Sequence, residues 1–195
     1  MNSLFPPELR TASVVERWSI VRTLTTDTVA NHSFYVTFYA LQVARLVEWE
    51  GPYADLTFAA LMHDVEETFT SDIISPVKSR VVDPGALSNF VSAQMKERLP
   101  LVEAQLEAIY ESRWGGDIEK LVKVADKVDA VIYLVLEQRM GNIVLAPLYQ
   151  DACNNLHAAW KDLCVHGGFV FRKYEDEIWP AIQAHWKNGS MGITG

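Results

Sequence analysis

Cysteine is nearly absent. Cys153 and Cys164 are the only two in 195 residues, and neither sits in a paired Cys or Cys/His spacing. That excludes a disulfide framework and a thiolate zinc pattern, and it makes a reducing, cytoplasmic setting the expectation. Basic residues are scarce too: 17 Lys and Arg against 25 Asp and Glu give a formal charge of −8. Tracking along a nucleic-acid polymer asks for a basic face, so that partner is not expected. A small phosphorylated ligand needs only a few placed cations and stays open. No apolar run approaches the ~20 residues that span a bilayer. The start, MNSLFPPELR, lacks a basic stretch leading into an apolar core, so no secretory signal is expected. Period-two alternation and internal repeats are missing as well, which argues against strands.

What is present is helical periodicity. The 49% hydrophobic content suits one domain with a sizeable core, placed at residues 1–187 with a frayed tail at 188–195. Helix-like sequence runs from Glu8 to Glu16, and a Thr-rich connection follows Arg22. From Val29 the positions His32, Val36, Tyr39, Ala40, Val43, Leu46 and Val47 fall on one face, up to a stop at Gly51-Pro52. Asp55 is the expected cap of the next helix. A loop is expected from Thr68 to Pro76 and a turn at Asp83-Pro84-Gly85. A helix over 86–112 should break near Pro100. With Asp117 as cap, 118–140 reads as a strongly apolar helix ended by Gly141-Asn142, and amphipathic helices are expected at 146–165 and 170–187. The fold class is therefore all-α, a single bundle of six or seven helices.

Polar residues inside the apolar helices carry the chemistry. Phe58-Ala59-Ala60-Leu61-Met62 runs into His63-Asp64. Adjacent helical residues point about 100° apart, so this pair converges only on a point between them, such as a metal ion. Glu67 follows His63 by four residues and would reach a water on that ion. His32 is in line with Val36 and Tyr39 and so faces inward. Asp126 lies inside the apolar helix, where burial is costly unless a cation or a partner such as Lys123 or Lys127 is near. Each residue alone also reads as structural. Together they offer two imidazoles and two carboxylates, a cage for a divalent ion with positions left for water.

The order His32, His63-Asp64, Asp126 resembles the HD-domain metal-dependent phosphohydrolases. Arg17-Trp18, Val29 to Ser33, His63 to Glu67, Thr70-Ser71-Asp72, Ser75 to Lys78 and Lys123 to Asp126 are similar to the YfbR-type bacterial 5′-deoxynucleotidases, over about residues 14 to 137. Phage dATP triphosphohydrolases share the Arg-Trp-x-Ile-Val run at Arg17 to Val21. The resemblance implies a homo-oligomeric, metal-dependent hydrolase of the 5′-phosphate ester of 2′-deoxynucleotides; removal of triphosphate from a dNTP is the alternative. It implies His32, His63, Asp64 and Asp126 as ligands of Co²⁺, Mn²⁺, Zn²⁺ or Mg²⁺. Glu67 and Asp72 would be catalytic. Arg17 and Lys78 would hold phosphate, Trp18 the sugar, and Ile20 and Pro76 the base. Two positions depart from the pattern: Asn31 stands where Glu is frequent, and Thr25 where a second basic residue is common.

Two other classes are weaker. A non-haem iron oxygenase suits His and carboxylate ligands, but only five histidines are present and the rest lack motif context. A nucleotide-binding module without catalysis has no use for Glu67 and Asp72. Cys153 and His157, four apart, lack a third ligand. Trp160, Trp179 and Trp186 form a stripe that suits either core or a subunit contact.

Overall fold

A computed structural model describes residues 6–73, 83–167 and the four residues 176, 177, 179 and 180. A short 3-10 helix, Pro7–Ser13, opens on a proline whose missing N–H costs nothing at a helix start. The segment 14–28 is irregular and is closed at its base by an isolated antiparallel bridge between Glu16 and Thr28. Helix α1, Val29–Leu46, starts where the Thr28 hydroxyl accepts the Asn31 N–H at 3.3 Å, so the Thr-rich connection ends in a cap. Its buried positions include His32, Val36, Ala40 and Val43, the three- and four-residue steps of the sequence pattern.

Helix α2, Tyr53–Met62, begins two residues before its expected cap. Pro52, held at φ −77°, takes the cap position, and Asp55 instead lies in the first turn, where its charge suits the helix dipole. A second difference bears on function. His63 is the C-cap residue of α2, and Glu67 opens a separate short helix, α3, Glu67–Thr70, inside the expected loop. The intervening turn is tightened: Val65 N–H donates to Met62 O at 3.1 Å and Glu67 N–H to Asp64 O at 3.0 Å. Three-residue spacing eclipses i and i+3, so Glu67 comes over Asp64 rather than over His63.

Asp83 then caps α4, Pro84–Arg98, by accepting from Gly85 and Ala86. Pro100 cannot donate and pushes Leu99 to an extended φ of −127°, which separates α4 from α5, Pro100–Glu111. Helix α6, Gly115–Arg139, starts ahead of Asp117, which lies in its first turn. It ends before Gly141, whose φ of 101° turns the chain. A 3-10 turn at Ile143–Leu145 leads into α7, Ala146–Gly167. Among the described residues there are seven α-helices and no strand, the all-α fold expected.

Helix α6 is the axis: α1, α2, α5 and α7 all pack on it. Its buried residues include Ile118, Leu121, Val124, Ala125, Val131 and Leu134. Trp160 of α7 is fully buried in this core, and Trp179 packs partly buried against it. Trp186, the tail at 188–195, and most of the expected helix 170–187 lie outside the described residues. No helix among the described residues is long and apolar enough to cross a membrane.

The start of α6 is crowded. A Cβ on Gly115 would sit 2.1 Å from the Tyr110 carbonyl oxygen, whereas one on Gly116 meets nothing within 4 Å. Gly115→Ala is expected to destabilise the fold by roughly 1–3 kcal/mol through this overlap. Gly116→Ala should leave stability unchanged or raise it, because alanine is the better helix former. Paired thermal melts check both; equal midpoints for the two variants would contradict the packing described.

Candidate metal centre

Three parts of the fold meet at one point. His32 comes from α1, His63 and Asp64 from the turn between α2 and α3, and Asp126 from α6. One ligand atom each of His32, His63 and Asp126 lies within 4.8 Å of the others. His32 Nε2 is 3.2 Å from His63 Nε2, 3.3 Å from Asp126 Oδ1 and 3.4 Å from Asp64 Oδ2. Asp64 Oδ2 is in turn 3.1 Å from His63 Nε2. Bonds of about 2.1 Å to a cation put neighbouring tetrahedral donors about 3.4 Å apart, so these spacings fit one ion.

The tautomers test the fit further. His63 Nδ1 is 2.9 Å from the Ala60 carbonyl, and His32 Nδ1 is 2.6 Å from Asp129 Oδ2. A carbonyl and a carboxylate only accept, so both Nδ1 atoms donate. In the neutral rings both Nε2 atoms then present lone pairs to each other at 3.2 Å. Two lone pairs do not satisfy one another; a proton or a metal cation between them does. Burial opposes charge on His32, but hydrogen bonds to Asp126, Asp129 and Asp64 outweigh it and push its pKa up to about 10. Burial likewise opposes charge on Asp64 and Asp126. The His63 charge and the His32 hydrogen bond hold Asp64 low; for Asp126 the His32 hydrogen bond and Lys127 do so. The divalent-ion chemistry inferred from the donor set fits these residues. Asp126 Oδ2 takes the Lys127 ammonium at 2.7 Å, the pairing offered by the sequence, while Oδ1 faces His32 at 3.3 Å.

Glu67 stands beside this centre. Burial, then the charges of Asp64 and Asp72, push its pKa up to about 8. Its buried Oε2 has no hydrogen-bond partner among the described residues. Asp72 spends one oxygen on the Trp18 N–H at 3.2 Å, which fastens the irregular segment to the end of α3. Trp18 adopts a left-handed φ of 61° and stacks on Tyr133 with ring centroids 5.5 Å apart. Arg17 Nη1 faces Asp27 at 3.6 Å and Asp129 at 3.8 Å, so this guanidinium is engaged with buried carboxylates as well as lying near the centre. Ile20 is 69% exposed. Pro76 and Lys78 lie outside the described residues.

Sequence reading missed Asp129, Asp27, Tyr133 and Glu137. Asp129 is 5% exposed and Glu137 fully buried. Glu137 accepts from Leu24 N–H, Thr25 N–H and the Thr25 hydroxyl at 2.7, 2.8 and 2.6 Å. The Tyr133 hydroxyl donates to Thr25 O at 2.8 Å. A signal was available: Asp126, Asp129, Tyr133 and Glu137 follow at three- and four-residue steps on one side of α6.

Comparison with known proteins shows the family. Residues 5–167 match the model of a family described as YfbR-like, 5′-deoxynucleotidase YfbR-like. A dATP triphosphohydrolase of Salmonella phage PMBT28 is 29% identical over 187 residues, covering 84% of this chain and 89% of the relative. A 5′-deoxynucleotidase of Pasteurella multocida is 26% identical over 141 residues, 66% and 71% of the two chains. The HD phosphohydrolase of cyanophage S-2L, solved with dA and one catalytic Zn²⁺, superposes with a TM-score of 0.67 at 18% identity, over 96% of this chain and 99% of its own. The chain belongs to the YfbR-like family of HD-domain phosphohydrolases.

Proposed function

We propose that the chain hydrolyses the 5′-phosphate ester of 2′-deoxynucleotides, releasing deoxynucleoside and phosphate, with a divalent cation held by His32, His63, Asp64 and Asp126. The observation that carries this reading is the pair of opposed Nε2 atoms 3.2 Å apart, both Nδ1 donors committed elsewhere and two carboxylates alongside. An ion bound there supplies Lewis acidity, lowering the pKa of water and polarising a phosphoryl oxygen. Mixed imidazole and carboxylate donors suit Zn²⁺, Co²⁺ or Mn²⁺ better than Mg²⁺, and the cyanophage relative carries Zn²⁺.

The side chains divide the remaining work. Glu67, with proton affinity raised to about 8, takes a proton from the attacking water and returns one to the departing 5′ oxygen. Asp72 raises that affinity by its charge while holding the Trp18 amide. Arg17, with Lys78 as a second cation, balances phosphate charge. Trp18, backed by Tyr133, offers ring surface where a ribose 2′-hydroxyl finds no partner, which disfavours ribonucleotides. Ile20 and Pro76 border the base. A second reading, removal of triphosphate from a dNTP, is favoured by the phage relative, which acts on dATP. We also assign the chain to the cytoplasm as a homo-oligomer; Phe34 and Phe38, one turn apart on α1 and 64% and 52% exposed, provide an apolar surface for such a contact.

Purified protein with Mn²⁺ or Co²⁺ is expected to release phosphate from dNMP and much less from NMP. Inorganic triphosphate from dNTP, read by ³¹P NMR, would select the second reading, and hydrolysis of none of these substrates would refute both. Glu67→Gln should lower kcat by about 10²-fold or more with Co²⁺ affinity retained; an unchanged kcat removes Glu67 from proton transfer. Trp18→Ala is expected to bring kcat/KM for ribo- and deoxyribonucleotides closer together, and a constant ratio would take Trp18 out of sugar selection.

A further inference from the structure

We propose that Asp129 is a positioning residue: it sets the tautomer and orientation of His32 and, by sharing one oxygen with Arg17, joins the metal centre to the segment that precedes α1. The proposal rests on the reading of His32 as a metal ligand. His32 is wholly buried, so nothing in solvent orients its ring. The Asp129 Oδ2 atom, 2.6 Å from Nδ1, does so from another helix, 97 residues along the chain. The same Oδ2 lies 3.8 Å from Arg17 Nη1, whose other carboxylate neighbour is Asp27 at 3.6 Å.

The two histidines are oriented by unlike means. His63 is held by a neutral carbonyl of its own helix, Ala60 O. His32 is held by an anion one helical turn from Asp126 on α6. The helix that contributes the Asp126 carboxylate therefore also aims the imidazole supplied by α1, which fixes the separation of two ligands from different helices. Charge matters beyond shape, because a carboxylate behind an imidazole strengthens its donation to a cation. Asp129 meets His32 at Nδ1, whereas the other donors meet it at Nε2, so Asp129 acts through the ring. Arg17 completes the arrangement: a cation between Asp129 and Asp27 makes two neighbouring buried anions tolerable, and it carries that tie into the segment bearing Trp18.

The test uses the full-length protein stripped of metal and titrated with Co²⁺ alone, followed by calorimetry and by the Co²⁺ visible absorption bands. Asp129→Asn keeps the shape and removes the charge. Its Co²⁺ affinity is expected to fall roughly 10–100-fold, with altered absorption bands and a largely retained helical circular-dichroism spectrum. Glu137→Gln, which alters a buried carboxylate on the same helix away from the metal, should leave Co²⁺ affinity at the wild-type value. Long-range ¹H–¹⁵N spectra of Zn²⁺-loaded wild-type protein should show His32 protonated at Nδ1, a readout that needs no variant to fold. Wild-type Co²⁺ affinity in Asp129→Asn, or the opposite His32 tautomer, overturns the proposal. Undiminished Co²⁺ binding in His32→Ala would overturn the metal-centre reading itself, and the role of Asp129 with it.

Discussion

Two imidazoles, each with Nδ1 committed to a fixed acceptor, face each other through Nε2 at 3.2 Å, an arrangement that requires a proton or a metal ion between them. Each ring has spent its N–H on a fixed acceptor, and the space between them is walled by Asp64 and Asp126. The rest of the centre follows from that constraint. Carboxylates gather because a cation, whether a proton or a metal ion, must sit there for the lone pairs to be tolerated. Their hydrogen bonds raise the proton affinity of His32, while burial and then the charges of Asp64 and Asp72 raise that of Glu67. Structural burial of a lone histidine requires none of this.

Helix α6 converts the centre into a site. Along one stripe it places Asp126 at the proposed ion, Asp129 behind His32, Tyr133 under Trp18 and Glu137 against Leu24 and Thr25. Apart from the Glu16–Thr28 bridge at its base, the segment 14–28 is irregular, and its backbone groups find partners on this stripe and on Asp72. The left-handed φ of Trp18 is strain that such contacts maintain. Thr25 gives both its amide and its hydroxyl to Glu137, which is part of how the segment is fastened.

How much of this could be read in the sequence depended on the range of the interaction. Helix faces, the break at Pro100 and the stop at Gly141 are local chemistry, and they were legible to within a few residues. Asp55 and Asp117 were expected as caps because side-chain capping is the usual signal; here Pro52 and the crowded Gly115 start the helices earlier. Glu67 was placed over His63 because a continuous α-helix was assumed, and the tightened turn brings it over Asp64 instead. Asp129 and Glu137 were invisible to hydrophobic periodicity, which assigns a polar residue to the surface. Their partners lie 97 and 112 or more residues away, so only the fold discloses why burial is tolerated.

The same division of labour bears on how one scaffold serves different deoxynucleotide phosphates. In the proposed reaction the ligands and Glu67 act on the reacting phosphate and have no means of counting the phosphates beyond it. The residues proposed to meet sugar and charge, Trp18 and Arg17, stand on a segment that reaches α6 at separate points. Asp129 touches both His32 and Arg17, so a change there disturbs chemistry and binding together. Tyr133 and Glu137 hold the segment, Glu137 also taking the Asn142 amide, and neither contacts the proposed ligands, so on the proposed reading changes there alter selection while the cage keeps its shape. On the proposed reading, mono- and triphosphate selection in this chain thus falls to residues 14–28 and the outer end of the α6 stripe, because the His32–His63 contact is held by Asp129 and Ala60 instead.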